Sequence, residues 1–260
     1  MKILVAGDSY CDELSHKETD CAWTRQLEKI IPNASVTCIG QTATSVFSAL
    51  KRVREIKEEY DAVIVIVTSH ERMYQTSAPY ITNLPHALNH QELYKREKLN
   101  DIKLYNKIEA SRAYYEFLYE DDLGIFILES CLKEFQLMFA DKRLILVPGF
   151  NNYWASSYAT NIFKQHPFNL MQVIEKENLN FTDLGPGKGR RWQEINIKDR
   201  VGKVNHMCQQ NQLTLANYFA DLINASKSSI TLDNFISLPK EDFRLHFRPI
   251  DEVQYSSGKF

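Results

Sequence analysis

The chain has 260 residues, 44% of them hydrophobic, and a formal net charge of −2. That size suits one large α/β domain with a full core, or at most two small domains, and the balanced charge excludes a global basic field for nucleic acid. Five cysteines (Cys11, Cys21, Cys38, Cys131, Cys208) without CxxC spacing read as reduced thiols of a cytosol-like compartment, not as a disulfide framework or a zinc site.

"KILVA" (Lys2–Ala6) is a short apolar run rich in branched residues, the pattern of a strand buried on both faces. It begins so early that no signal peptide is expected, and no apolar run approaches the roughly 18 residues of a membrane span. The expectation is a soluble, cytoplasmic protein with no membrane partner. A helix follows within Glu13–Ile31, with Trp23, Leu27, Ile30 and Ile31 at helical spacing and Pro32-Asn33 as its stop. "SVTCIG" (Ser35–Gly40) is a second strand, and Ser45–Tyr60 is an amphipathic helix with Val46, Leu50, Val53 and Ile56 on one face. "DAVIVIVTS" (Asp61–Ser69) is the strongest strand signal. Residues from about Tyr80 to Asn100 read as a polar, irregular insertion. Helical stretches over Ile102–Tyr119 and Gly124–Phe139 come next, so an insertion of mixed character spans about 80–140. "KRLILVPGF" (Lys142–Phe150) is the fourth strand. A long loop leads to the last helix, Asn211–Asn224. Four buried strands separated by helices predict a three-layer α/β/α sandwich with a parallel sheet. The domain is expected to span residues 1–224, with 225–260 as a C-terminal extension serving as a surface arm or a homo-oligomer contact.

Ligands of such sheets bind outside the carboxyl ends of the strands. There this sequence places "GDS" after strand 1, "GQTATS" after strand 2 and "TSHER" after strand 3, while "VNHMCQQNQ" puts His206 just before the last helix. Ser9 as nucleophile and His206 as its base can meet above that edge. At a strand-to-helix turn the Ser9 N–H is free to donate to an oxyanion.

"VAGDS" near the N-terminus, a Gly-containing turn after strand 2 and an Asn205-His206 pair before a C-terminal helix resemble the SGNH (GDSL) hydrolase family. The resemblance covers about Lys2–Val67 and Asn205–Ile223. It implies a flavodoxin-like sheet, ester hydrolysis through Ser9 and His206, and no cofactor or metal. It also implies an oxyanion hole from the Ser9 N–H, a backbone N–H at Gly40 or Ala43, and His70 standing where the family has asparagine. Asp8 matches the acid before the nucleophile, which supports the turn. The family's third catalytic residue, an aspartate three positions before the histidine, is Lys203 here. Asp199 is the nearest upstream acid, and Gly202 would permit a tight return that brings it back. The implied substrate is a small-molecule or glycan ester, for example a carbohydrate O-acyl group. The altered blocks at His70 and Lys203 also fit a catalytically degenerate relative kept as a binding or assembly component.

Other features have plainer readings. Gly-Asp-Ser is also the composition of an ordinary strand-ending turn. His70 suits a packed strand end, and Arg72 a surface salt bridge more than an acidic-substrate contact. His86 and His90 have the i,i+4 spacing of a metal pair but lack a third ligand. "GPGKGRRW" (Gly185–Trp192) is a basic loop without P-loop spacing.

Overall fold

Along β1 (Lys2–Ala6), Ile3 and Val5 point to one face of a sheet and Leu4 and Ala6 to the other, and all four are buried. The computed structural model describes residues 1–13, 19–42, 44–74, 87–88, 91, 94–95, 101–150, 156–177, 193–197, 200–203, 207–224, 228–237 and 244–247. In it β1 lies between β2 (Ser35–Cys38) and β3 (Ala62–Val67), and β4 (Arg143–Pro148) follows β3. All three pairings are parallel, with Ile3 opposite Val36 and Ala62, and Ile64 opposite Ile145. The order β2-β1-β3-β4 is the flavodoxin-like arrangement.

Each face of the sheet carries its own core. Ile3, Val5, Ile64, Ile66, Ile145 and Val147 meet α1 (Trp23–Ile30), α6 (Leu170–Lys176) and α7 (Gln209–Ile223). Leu4, Ala6, Val63, Val65, Val67 and Leu146 meet α2 (Val46–Glu55), α4 (Asp121–Met138) and α5 (Ser157–Phe163). The three-layer α/β/α sandwich read from the sequence is therefore the fold. Each buried Ile or Val contributes about 1.5–3 kcal/mol of transfer free energy, which is why these strands read as continuous apolar runs.

Several boundaries differ from the sequence reading. α1 is shorter: a 3₁₀ turn at Thr19–Cys21 precedes it, and Asn33, with φ +58°, ends the turn beyond it in the left-handed region. α2 stops at Glu55, because Ile56 is already extended. α3 (Ile102–Phe117) and α4 fall close to their expected places. The long loop before the last helix contains two short helices, α5 and α6. It also contains β5 (Gln193–Ile197) and β6 (Arg200–Lys203), which pair antiparallel. β5 pairs on its other side with β7 (Arg244–Phe247), so the C-terminal extension supplies a strand to a second, three-stranded sheet. Earlier in that extension, Phe235 is 2% exposed and stacks edge-on against Phe168, with ring centroids 4.9 Å apart. All five cysteines are free thiols. No helix among the described residues is long and apolar enough to cross a membrane.

One half-buried histidine joins the layers. His166 Nε2 donates to Leu146 O at 2.8 Å, which leaves Nδ1 to accept the Tyr218 hydroxyl at 2.7 Å. Burial lowers its pKa from 6.5 to about 4, the Leu146 bond opposing the shift. A group depressed in this way binds protons better in the unfolded chain. Its contribution to stability is complete above 6.5 and is lost as the pH falls towards 4. His166→Gln keeps one donor and one acceptor but cannot titrate. Between neutral pH and about pH 5 its thermal midpoint should fall less than that of the wild type. Equal slopes in calorimetry would remove His166 as a source of acid sensitivity.

Candidate active site

The strand order reverses between β1 and β3, since β2 lies on one side of β1 and β3 on the other. A crevice at the carboxyl ends of these strands is the usual ligand site of such sheets. β1 leaves the sheet through Gly7, whose φ is +146°. A Cβ there would stand 2.7 Å from Ile66 O and 2.8 Å from Ile66 Cβ. Only glycine allows this exit so close to the backbone of β3.

Asp8 follows, with no exposed surface. Its Oδ1 accepts the Tyr10 N–H at 3.1 Å, and its carbonyl accepts the N–H groups of Cys11 and Asp12, each at 3.1 Å. Its Oδ2 accepts Arg72 Nη1 at 3.0 Å, and the guanidinium lies 4.6 Å from the Phe150 ring centroid. Burial raises the Asp8 pKa above its ordinary 3.8, opposed by the Arg72 charge and the Tyr10 N–H. The surface salt bridge expected for Arg72 is thus a buried one, with side chains 11% and 0% exposed. Held in this turn, Ser9 is half-buried. Neither its N–H nor its hydroxyl donates to any described residue.

The loop after β2 lies directly on that turn. A Cβ on Gly40 would stand 2.6 Å from both Asp12 N and Cys11 C. Gln41 N donates to Gly7 O at 3.1 Å, and Thr42 gives Asp12 Oδ2 both its N–H, at 2.9 Å, and its hydroxyl, at 2.6 Å. Arg52 of α2 reaches Gly7 O at 3.2 Å and also binds the Gln41 side chain. Gly40 therefore sits beside the Ser9 turn, while Ala43 lies outside the described residues.

His70 is 7% exposed, with Nε2 3.6 Å from Asp121 Oδ1 at the start of α4 and a carbonyl that accepts the Tyr119 hydroxyl at 3.4 Å. Its Nδ1 is buried and meets no partner among the described residues. Beyond Arg72, a cavity of about 690 Å³ opens between Met73-Tyr74 and the α3 residues Ile102, Asn106 and Tyr114.

His206 and Asp199 lie outside the described residues, as do His86, His90 and Gly185–Trp192. Gly202 is inside β6, opposite Ile195. Among the described residues no three His, Cys, Asp or Glu side chains group as a metal site. The chain neighbours of His206 are nonetheless tied to the Ser9 turn. Trp23 Nε1 donates to Tyr10 O at 2.8 Å, and Trp23 N donates to Gln212 Oε1 at 3.0 Å. Gln212 Nε2 in turn donates to Met207 O at 3.4 Å. α1 has no side-chain cap of its own, so Gln212 of α7 satisfies one of its orphan N–H groups. The sequence analysis missed Trp23 and Gln212 as site-building residues. Standing 189 positions apart, they carry no local signal.

No family model matches the chain, and no curated protein matches it. Among solved structures, it is similar to a psychrotrophic esterase, EstA, from Pseudoalteromonas sp., inhibited by monoethylphosphonate. That match has 13% identity and a TM-score of 0.45, and covers 86% of this chain and 97% of that one. A member of the lipolytic G-D-S-L family from Veillonella parvula matches with 12% identity and a TM-score of 0.26, over 55% of this chain and 76% of that one.

The Asp8–Arg72 pair gives a direct test of what shapes the Ser9 turn. Arg72→Met leaves a buried carboxylate uncompensated and should cost about 3–5 kcal/mol in denaturant unfolding. Asp8→Asn with Arg72→Met removes both charges and should recover a large part of that loss. A double variant no more stable than the single one would show that the pair is not coupled.

Proposed function

We propose that the chain is a serine esterase of SGNH type. The observation that carries this reading is the placement of Ser9. It stands at the β1/β3 switch point on a turn fixed by the Asp8–Arg72 pair, and hydrogen bonds through Trp23 and Gln212 link its neighbour Tyr10 to Met207, next to His206 in the chain.

In this mechanism His206 takes the proton of the Ser9 hydroxyl as Oγ attacks the acyl carbon. The oxyanion is held by the Ser9 N–H and a backbone N–H of Gly40 or Ala43, with His70 as a side-chain donor. His206 returns its proton to the leaving alcohol, and water then cleaves the acyl-enzyme. Asp199 is the candidate orienting acid for His206 on sequence grounds. The substrate is an ester of a small molecule or a glycan, and the cavity lined by Met73, Tyr74 and α3 begins one residue beyond Arg72 in the chain.

Incubation with a fluorophosphonate, followed by intact mass, should give one adduct, on Ser9. Folded protein without an adduct would assign the pocket to binding instead of turnover. Ser9→Ala and His206→Ala should abolish hydrolysis of a short aryl ester with little change in thermal midpoint. Asp199→Asn should cost far less than His206→Ala. Comparable losses would establish Asp199 as a full catalytic partner.

A further inference from the structure

The Ser9 turn and the end of β2 each carry a thiol, and the fold brings the two together. Cys11 stands two residues after Ser9 and is 1% exposed. Cys38 ends β2, opposite Val5 of β1 and two residues before Gly40, and is half-buried. Cys38 Sγ donates to Cys11 O at 2.7 Å, while Cys11 Sγ donates to Asp8 O at 3.3 Å. Burial pushes the Cys11 pKa well above its ordinary value, and side-chain contact with the Cys38 thiol adds to the shift. The backbones meet as well, since a Cβ on Gly40 would stand 2.6 Å from Cys11 C and 2.8 Å from Cys11 O.

Arg52 of α2 supplies a cation to this pair. It interacts electrostatically with both Cys11 and Cys38, and its Nη2 donates to Gly7 O at 3.2 Å. A cation beside a thiol favours the thiolate, which is the form that oxidants attack. Two of the other cysteines lack this setting. Burial pushes the pKa of Cys131 and of Cys208 up to about 12, and no second thiol contributes to either shift. Apolar packing alone would not require sulfur at a half-buried strand end, in contact with a second sulfur from the adjoining turn.

We propose that Cys11 and Cys38 are a redox modification site, closed to a disulfide by hydrogen peroxide. Cys38 is the more exposed thiol and meets the oxidant first. Its thiolate takes one oxygen as the O–O bond breaks, giving a sulfenic acid, and the second oxygen leaves as hydroxide. The Cys11 sulfur then attacks the Cys38 sulfur. An S–S bond forms, the S–O bond breaks, and the departing hydroxide leaves as water with the Cys11 proton. The two thiols lose two electrons, which reduce the peroxide to water, and a dithiol reverses the change. A disulfide has no S–H, so Asp8 O loses the Cys11 thiol donor and Cys11 O loses that of Cys38. The Cys11 side chain is drawn from Asp8 towards β2, and Ser9 lies between Asp8 and Cys11 in the turn. On the serine-esterase reading, on which this consequence rests, oxidation displaces the nucleophile and slows the enzyme.

Reduced full-length protein is treated with hydrogen peroxide, denatured, alkylated and weighed. Alkylation should fall from five thiols to three, a peptide map should show Cys11 joined to Cys38, and dithiothreitol should restore all five. Five alkylated thiols after peroxide, a link between other cysteines, or oxygen added to Cys38 without a cross-link each overturns the proposal. Fluorophosphonate labelling of the reduced protein tests the esterase reading by itself. With that adduct in hand, the labelling rate of Ser9 should fall about 100-fold in the cross-linked protein, the scale of a small misplacement of a reacting group, and recover with dithiothreitol. Cys38→Ser keeps a hydroxyl donor for Cys11 O. It should label within about twofold of the reduced wild type and should not respond to peroxide. A cross-link that leaves the labelling rate unchanged overturns the control of Ser9, as does an equal loss of labelling in Cys38→Ser. If the reduced wild type takes no adduct, the esterase reading fails and the peptide map alone decides the redox pair, without need of a variant.

Discussion

The ion pair between Asp8 and Arg72 holds together the two strand ends on which the site depends. A carboxylate with no exposed surface cannot stand alone in a protein interior, and Arg72 lies where the chain leaves β3, next to the exit of β1. The pair therefore fixes the distance between those exits. The same carboxylate takes the Tyr10 N–H, so compensation of its charge and the shape of the Ser9 turn are one arrangement. Gly7 completes it by letting the backbone pass Ile66 without a side chain in the way.

On the other side of the site, helices are capped by their neighbours. α1 and α7 begin at Ala22 and Cys208, and neither cap residue closes its own helix with a side chain. Gln212 and Glu177 supply the acceptors from other elements. Trp23 and Phe219, with ring centroids 4.5 Å apart, pack α1 against α7 under this network. A change in that packing would move the Ser9 turn and the segment after His206 relative to each other, although none of these side chains needs to touch a substrate.

The sheet was legible because parallel strands buried on both faces must be apolar throughout. "KILVA" and "AVIVIV" admit little else. The short helices were harder to see. α6 is seven residues long, but its Asn169/Gln172 capping box is a local signal that could have placed its start. β5 to β7 lack comparable apolar runs, and the β5–β7 pairing joins segments on opposite sides of α7 in the chain, so nothing local announces it. α2 ends at Glu55, before its helical pattern runs out at Tyr60. The chain must turn there to enter β3, where Asp61 N donates to Lys2 O at 2.9 Å.

Ser9 at the end of the first strand was readable from the sequence because hydrophobic period and turn chemistry are local properties. Asp8 as support for the turn and Gly40 as part of the adjoining loop came instead from the resemblance to the SGNH family. Only the tertiary structure decided that Arg72 is buried on Asp8, that Gln212 reaches across to Trp23, and that Glu177 grips Cys208 from 31 residues away. The physical reason is the same in each case. The acceptor or countercharge that a buried polar group requires is chosen by which elements pack together, and no local stretch of sequence contains that choice.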